Sequence, residues 1–356
     1  MKPEAQLVYD GHELHIPAQC GEPAPGQMVG TVAERLAELA GRECYDSLGN
    51  GRDSGSFHQH ILEVGHFSIY EHHNFTLLFP GVAFEPEVLL DLANRPGVYL
   101  RVADNTRDLR VTLNLRCVLD WQKWRPPHRE PSACPMSIAL AAYRIAPAVT
   151  AKSGLLGAPY VPLDAPGVEV VTPDDDEEKW ITLRLTGSRG FSHELVRHGD
   201  RTAISQRSTR YVDEAESDWC MHPLTLAMMD DPENHEFFGR VQDFISESRN
   251  VYREIVRRGS LRLMNTAGMT AVTARKQSRG AARGFLGNAL GTSVIFSASV
   301  AQWRRMLVMR CHPAADAEIR ESAAEVLRVL KASNYGDRFS DMLLVPSPDG
   351  LGEVLA

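Results

Sequence analysis

The spacing of apolar residues along the chain predicts several amphipathic helices. Apolar side chains recur every three or four residues over 28–41, and Gly41 stands where this helix is expected to end. The same spacing over 57–64 predicts a second helix, which ends at Gly65. Further helices are predicted at residues 85–95, 109–125, 136–146, 188–198 and 314–332.

Strands are predicted early in the chain and helices late. Aromatic and β-branched residues favour strands at 75–79 and 98–102, and alternation predicts one at 180–186 with a single buried face. Residues 126–179 are rich in proline and predict an irregular excursion. One late helix has an apolar stripe formed by Phe237, Val241, Phe244, Tyr252 and Ile255. Because regular βαβ alternation is lacking, the predicted fold class is α+β.

Composition limits the classes of function. The 356-residue chain carries a formal net charge of -8, which argues against broad electrostatic binding of nucleic acid or an anionic membrane. The sequence shows no signal peptide and no apolar run long enough to cross a bilayer, so a cytoplasmic protein is expected. Six cysteines without a C-x-x-C pair favour reduced, mostly buried thiols. Any anion site must therefore be a local pocket.

Residues 184–210 are a candidate for such a pocket, since they contain six arginines and two histidines. A structural explanation covers two of these cations, because Arg197 and His198 fall near Glu194 in the last turn of a helix that Gly199 is expected to cap. The later arginines lie in a Ser/Gln-rich segment and are better suited to a phosphate, to which a guanidinium donates two hydrogen bonds. Few aromatic residues flank this stretch, which disfavours a binder of single-stranded nucleic acid.

The histidines near residue 66 have two competing interpretations. His66, His72 and His73 follow His58 and His60, and such spacings are common among metal ligands. A helix-to-strand turn would point these side chains in different directions, however, so we predict no metal site.

Residues 275–310 carry many arginines and alone indicate only a basic helix pair, with Met306, Leu307 and Met309 in the core. Together with the two earlier clusters they are more specific. The motifs GHFSIYEHHNFT, SRGFSHELVRH, SQRSTRYV and ARGFLGNALGT occur in this order and resemble the flavin-dependent thymidylate synthases over residues 30–80 and 180–335. The resemblance implies a homotetramer with shared active sites and one domain over 1–356, with an insertion at 81–179.

The resemblance also implies roles for individual residues. The residues matched to nucleotide-binding positions are Glu194, Arg197, Gln206, Ser208, Arg210, Arg283 and Arg310. The residues assigned to the flavin are Ser68, Arg197, His198 and Arg201, and those expected to take part in catalysis are His66, Ser208 and Arg310. Arg310 would contact the pyrimidine and stabilise the negative charge that develops as carbon 5 becomes nucleophilic.

The implied reaction is the reductive methylation of a uracil nucleotide at carbon 5. Methylenetetrahydrofolate would donate the carbon and reduced FAD the hydride, with NADPH as the co-substrate that reduces the flavin. No cysteine nucleophile is required, which agrees with cysteines that lack activating neighbours.

The chain departs from the family pattern at two places. Gly199 and Asp200 lengthen the loop after Arg-His by one residue. Three family flavin contacts fall on Ser299, Ala301 and Arg305, which do not match them.

A similar spacing of residues further upstream suggests a replacement for the lost flavin contacts. Asn114 and Arg116 stand at the same distance before Arg125 as Ser299 and Ala301 stand before Arg310. We expect Asn114 and Arg116 to bind the flavin instead; the alternative is an unrelated helix with a solvent-facing arginine.

The insertion and the remodelled loop are most similar to the variant of this family that methylates UMP as well as dUMP in the biosynthesis of polyoxin-type nucleoside antibiotics. Two alternatives remain open. One is a housekeeping thymidylate synthase that acts on dUMP only, and the other is a degenerate homologue that binds nucleotide without productive flavin binding.

Overall fold

A computed structural model describes residues 2–79, 90, 92–102, 108–121, 136–153, 169–199 and 201–356. Most of the helix predicted over 85–95 lies outside the described residues, as do Arg125 and Asp200.

Helices and strands alternate irregularly along the chain, and the α+β class is confirmed. The strands are β1 (Glu4–Tyr9), β2 (Asn74–Phe79), β3 (Tyr99–Val102), β4 (Leu109–Asn114), β5 (Glu169–Val171), β6 (Trp180–Ser188), β7 (Thr202–Gln206), β8 (Gly291–Ser299), β9 (Leu344–Pro346) and β10 (Glu353–Leu355). The helices are α1 (Val32–Tyr45), α2 (Ser54–Val64), α3 (Leu115–Leu119), α4 (Met136–Ile145), α5 (Pro147–Ser153), α6 (Arg189–Leu195), α7 (Pro223–Met229), α8 (His235–Ala267), α9 (Ala271–Ala282), α10 (Val300–Arg310) and α11 (Ala317–Lys331).

Two antiparallel four-stranded sheets share the arrangement of three strands, β7-β8-β6 in one and β3-β4-β2 in the other. Sheet A has the order β7-β8-β6-β1, and sheet B has the order β3-β4-β2-β5. In sheet A the last residue of the second strand, Ser299, lies opposite Trp180 at the start of the third. In sheet B, Asn114 lies opposite Asn74 in the same way.

Sheet A lies between two layers. Ile295 packs in one core with α1, α2 and sheet B, whereas Leu183 and Phe296 pack in a second core with α6, α10 and α11. Every residue of β6 is therefore buried, and the prediction of a single buried face at 180–186 is wrong. The sequence does not show that helices cover both faces.

Several predicted elements are confirmed. They are the helices at α2, α4 and α11 and the strands at β2 and β3. Gly65 ends α2 in the left-handed conformation, as expected. Gly41 instead lies inside α1, and a Cβ at this glycine would stand 2.7 Å from the Phe57 ring. Close packing, rather than helix termination, explains this residue.

Two other boundaries correct the sequence prediction. The helix predicted over 109–125 begins as strand β4, since Leu109–Asn114 alternates well enough to pair in the centre of sheet B. The helix predicted over 188–198 is α6, which ends at Leu195, so Gly199 does not cap it. Arg197 and His198 consequently lie beyond the last helical turn.

Helices α8 and α9 pack against each other around a small core. Tyr252 is buried there with Ala215 and Ala282. Phe237 and Phe244, which belong to the predicted apolar stripe, are 49% and 60% exposed. These two side chains thus stay largely exposed within the described chain, although Phe244 also meets the Trp219 ring edge-on at 6.5 Å. No helix in the described ranges is long and apolar enough to span a membrane.

Candidate active site

One group of predicted site residues meets where α10 ends beside α6. Arg310, the last residue of α10, donates from Nη1 to Oε2 of Glu194 at 2.7 Å and from Nε to Nε2 of His198 at 2.7 Å. Glu194 also forms an ion pair with Arg197, whose Nη1 lies 3.2 Å from Oε1 of Glu194. The Arg197 side chain is 69% exposed. We call Glu194, Arg197, His198 and Arg310 the arginine fork.

His198 must be an acceptor in this arrangement. The Arg310 guanidinium keeps its protons at any ordinary pH, so Nε2 of His198 receives the hydrogen bond. Burial, aided by the charge of Arg310 and opposed by Glu194, lowers the pKa of His198. The structure therefore favours a neutral imidazole beside a charged guanidinium.

A second group lies where the segment after β7 crosses α9. Arg283 donates from Nη1 to Oγ1 of Thr209 at 3.4 Å, and a Cβ at Gly280 would contact the Arg210 side chain at 3.9 Å. Lys276 on α9 lies 4.4 Å from the Tyr211 ring centroid. We call Ser208, Arg210, Lys276 and Arg283 the basic cluster.

Arg210 and Arg283 are exposed, and the structure gives neither an ion pair with a carboxylate among its described residues. This arrangement of exposed cations and a serine hydroxyl suits an anion such as a phosphate.

The turn at His66 joins the basic cluster through Tyr45 at the end of α1. The Tyr45 hydroxyl hydrogen-bonds Nδ1 of His66 at 2.9 Å, and its ring packs edge-on against Tyr211 at 4.8 Å. Burial raises the pKa of Tyr45 to about 12, so the hydroxyl stays protonated. Ser68 lies in the short 3₁₀ helix Phe67–Glu71. Ser208 is held beside α1 by its backbone N–H, which donates to the Cys44 carbonyl at 3.0 Å.

Gln206 ends β7, where its amide nitrogen donates to Oγ1 of Thr292 at 3.3 Å. It therefore lies at the start of the segment that carries Ser208 and Arg210.

Lys276 and Tyr45 belong to this site but were not predicted from the sequence. Lys276 precedes Arg279 and Arg283 at spacings of three and seven residues, which place all three on one helical face. That spacing was available in the sequence. Tyr45 carried no comparable signal, because only the packing of α1 against the 66–71 turn brings it to His66.

Asn114 and Ser299, which stand at the same distance before Arg125 and Arg310 in the sequence, also hold equivalent positions in the fold. Each ends the second strand of its sheet and caps the following helix, and Asn114 caps α3 while Ser299 caps α10. Arg116 donates from Nη1 to Oε1 of Glu71 at 2.9 Å and also pairs with Asp120. The structure thus places Arg116 beside the 66–71 turn.

At Ser299, where β8 joins α10, side chains of the protein itself occupy the space. Glu177 bonds Nη1 of Arg305 at 2.8 Å and the Ser299 hydroxyl at 3.2 Å. Arg201, in the left-handed conformation at φ 49°, pairs with the same carboxylate at 3.5 Å and stacks over Tyr99 at 4.1 Å. Burial opposes ionisation of Glu177, but these arginines outweigh it and lower its pKa.

The clustered histidines are held by hydroxyl groups. Buried His72 bonds Ser297 through Nδ1 at 2.7 Å and Ser205 through Nε2 at 2.9 Å. His58 bonds the Tyr70 hydroxyl at 3.1 Å. In the described part of the chain, only Asp174, Asp175 and Glu178 come close enough to share a metal, and Arg101 pairs with all three.

The predicted site residues therefore form two half-sites in one chain. The first is the arginine fork, and the second is the basic cluster with the His66 turn. Among the hydrogen bonds and ion pairs of the described residues, none joins the two.

Comparison with known proteins shows what the segment that carries these residues is similar to. Residues 177–333 match the family described as "Thymidylate synthase complementing protein". The flavin-dependent thymidylate synthase of Mycolicibacterium vanbaalenii is 37% identical over 175 residues, which cover 49% of this chain and 66% of that protein. The enzyme of the same name from Mycobacterium marinum is 39% identical over 157 residues, which cover 44% and 59%.

The C-terminal half of this chain is thus related to the flavin-dependent thymidylate synthases, as its motifs indicated. The matched region spans slightly less than two thirds of the length of these relatives. Both the arginine fork and the basic cluster lie within residues 177–333, whereas the His66 turn lies before them.

Proposed function

We propose that this protein is an enzyme that methylates a uracil nucleotide at carbon 5, using a flavin as the hydride donor and methylenetetrahydrofolate as the carbon donor. The observation that carries the proposal is that the segment similar to flavin-dependent thymidylate synthases contains both the arginine fork and the basic cluster. One half-site offers a positioned guanidinium, and the other offers exposed cations.

The two half-sites suit different parts of a nucleotide. In the basic cluster, Ser208, Arg210 and Arg283 would bind the phosphate, with Gln206 at the edge of the same segment. Arg310 would bind the pyrimidine, where its charge stabilises the negative charge that builds on the ring during attack by carbon 5. Glu194 and Arg197 lie beside Arg310 and would complete the pyrimidine side.

The donors of the chain fit a flavin at some of the predicted positions. His66 and Ser68 lie in one turn, and Arg197 is exposed enough to reach a cofactor phosphate. Arg116 is next to this turn, so it would reach the same cofactor after exchanging Glu71 or Asp120 for an anion. When bound, FAD reduced by NADPH supplies a hydride. His198 and Arg201 would lie at the edge of this site.

The Ser299 junction does not fit the same group. Its hydroxyl and the guanidinium of Arg305 already bind Glu177, and a second anion there would be repelled. This supports the proposal that Asn114 and Arg116, at the equivalent junction of sheet B, replace Ser299 and Ala301.

We further propose a homotetramer with active sites shared between subunits. Two observations support it. Among the described residues no hydrogen bond or ion pair joins the half-sites, and the apolar face of α8 exposes Phe237 and Phe244. Pairing of the arginine fork of one subunit with the basic cluster of another would complete a site.

The preferred sugar distinguishes two versions of the proposal. Methylation of UMP would fit the biosynthesis of polyoxin-type nucleoside antibiotics, and this version is supported by the insertion that we propose at residues 81–179 within a single domain. Activity on dUMP alone would indicate a housekeeping thymidylate synthase.

The test is product formation by mass spectrometry. Purified protein is incubated with FAD, NADPH, methylenetetrahydrofolate and either UMP or dUMP in parallel. We expect a gain of one methyl group, on UMP if the antibiotic version holds. Nucleotide binding without product from either substrate would refute the enzyme and favour a degenerate binding protein.

A further inference from the structure

The guanidinium of Arg310 donates three hydrogen bonds within the described chain. A guanidinium has five N–H groups. Nε donates its one hydrogen to Nε2 of His198, Nη1 donates to Oε2 of Glu194 at 2.7 Å, and Nη2 donates to the Glu194 carbonyl at 3.4 Å. One N–H on each terminal nitrogen is left without a partner in the described chain. The side chain is 17% exposed, so part of it is open to solvent.

His198 is itself held firmly. Its residue is 6% exposed, and its backbone carbonyl accepts a hydrogen bond from the Thr202 hydroxyl at 2.7 Å. The imidazole is therefore a rigid hydrogen-bond acceptor for Nε of Arg310. Glu194 acts from the other side and is shared with Arg197, which is more exposed.

We propose that His198 is a positioning residue for the proposed reaction: its unprotonated Nε2 accepts Nε–H of Arg310 and thereby holds two guanidinium N–H groups toward the pyrimidine. The inference rests on the proposed function. Only a neutral imidazole can do this, because a protonated His198 would set an N–H against the N–H of Arg310 and add a second positive charge. The charged groups that face His198 are Arg310, Glu194 and, through Glu194, Arg197.

The proposal is tested with His198→Ala and His198→Gln. The glutamine amide can place an acceptor oxygen near the position of Nε2, and it does not titrate. We expect His198→Ala to lower kcat/KM for the nucleotide by about 10- to 100-fold, as loss of a supporting partner does elsewhere. His198→Gln should recover most of that activity at pH 8 and lose the decline that the wild type shows at acid pH. Exposed His193, on the preceding helix α6, gives the matched control His193→Gln.

A double-mutant cycle separates positioning from a general loss of structure. Nucleotide affinity is measured by calorimetry for the wild type, His198→Ala, Arg310→Ala and the double variant. If His198 acts through Arg310, the histidine substitution should have little further effect once Arg310 is absent. Full additivity, or a His198→Gln variant as impaired as His198→Ala, would overturn the proposal. Because the cycle measures binding, it remains informative even when no methylated product forms, the result that would refute the proposed function instead.

Discussion

Asn114 and Ser299 occupy the same place in two sheets that share a three-strand unit, β3-β4-β2 and β7-β8-β6. Each side chain accepts a hydrogen bond from the backbone N–H three residues later, at 3.0 Å from Cys117 and 3.1 Å from Gln302. The two junctions differ in what surrounds them. Glu177 fills the one at Ser299, whereas the one at Asn114 places Arg116 beside the His66 turn.

This difference predicts unequal effects on the cofactor. Removal of either cap, in Asn114→Ala or Ser299→Ala, should destabilise the protein by about 1 kcal/mol. Arg116→Ala should weaken FAD binding by about tenfold, since charge-assisted hydrogen bonds contribute about 1.5–3 kcal/mol. Flavin fluorescence titration measures the FAD affinity of each variant, and urea denaturation measures its stability. An FAD affinity unchanged in Arg116→Ala but reduced in Ser299→Ala would reject the assignment.

Loss of Arg310 should abolish methylation but not cofactor binding. We expect Arg310→Ala to reduce kcat by about 10²- to 10³-fold, the effect typical of removing one preorganised donor. Absorbance of bound FAD should stay near the wild-type level. Arg304 lies on the same helix as Arg310, and its guanidinium pairs with Asp341 at the surface. Arg304→Ala therefore serves as the control. Loss of flavin with unchanged nucleotide affinity would contradict the role given to Arg310.

The basic cluster should determine phosphate affinity. Arg283→Ala and Lys276→Ala are expected to raise the nucleotide Kd by about 10-fold or more, because each removes a cation from an anion site. Affinity for uridine, which lacks the phosphate, should change little. Arg275→Ala, an exposed residue of the same helix, is the control. Equal losses for nucleotide and nucleoside would show that these residues do not bind the phosphate.

The apolar face of α8 should hold the assembly together. Phe244→Glu places a charge where the side chain is 60% exposed in the single chain, and in a tetramer it would bury that charge. We expect light scattering to show smaller species than in the wild type. Val64→Glu on α2 tests an exposed apolar residue elsewhere. A monomeric wild type, or an unaltered mass in Phe244→Glu, would contradict the shared-site proposal.

Buried histidines should make stability depend on pH. Burial lowers the pKa from 6.5 to about 4 for His58 and His73 and to about 3 for His72. Each therefore binds a proton more readily in the unfolded chain, so acid favours unfolding. This contribution is complete above pH 6.5 and is lost as the pH falls toward 4. Urea denaturation at pH 7 and pH 5 should show a lower free energy of unfolding at pH 5, and a constant value would disprove the argument.

Local patterns predicted much of the secondary structure. Gly65 marked the end of α2, and the aromatic residues of β2 marked a strand, because both signals act over a few residues. Met306 and Leu307 were correctly placed in the core, but Met309 is 52% exposed. The sequence analysis also treated residues 275–310 as a helix pair, although β8 lies in the middle of sheet A.

The sequence by itself determined the α+β class and the similarity of residues 177–333 to the thymidylate synthase complementing proteins, and it singled out every residue of the arginine fork and the basic cluster except Lys276. These follow from composition, short periodicities and motif order, which do not depend on distant contacts. Only the tertiary structure decided that Glu177 fills the Ser299 junction, that His198 accepts from Arg310 and that Tyr45 reaches His66. Each of these contacts joins residues 21 to 122 positions apart. Their geometry is set by how sheets and helices pack, because no local pattern records which distant side chain will supply a partner.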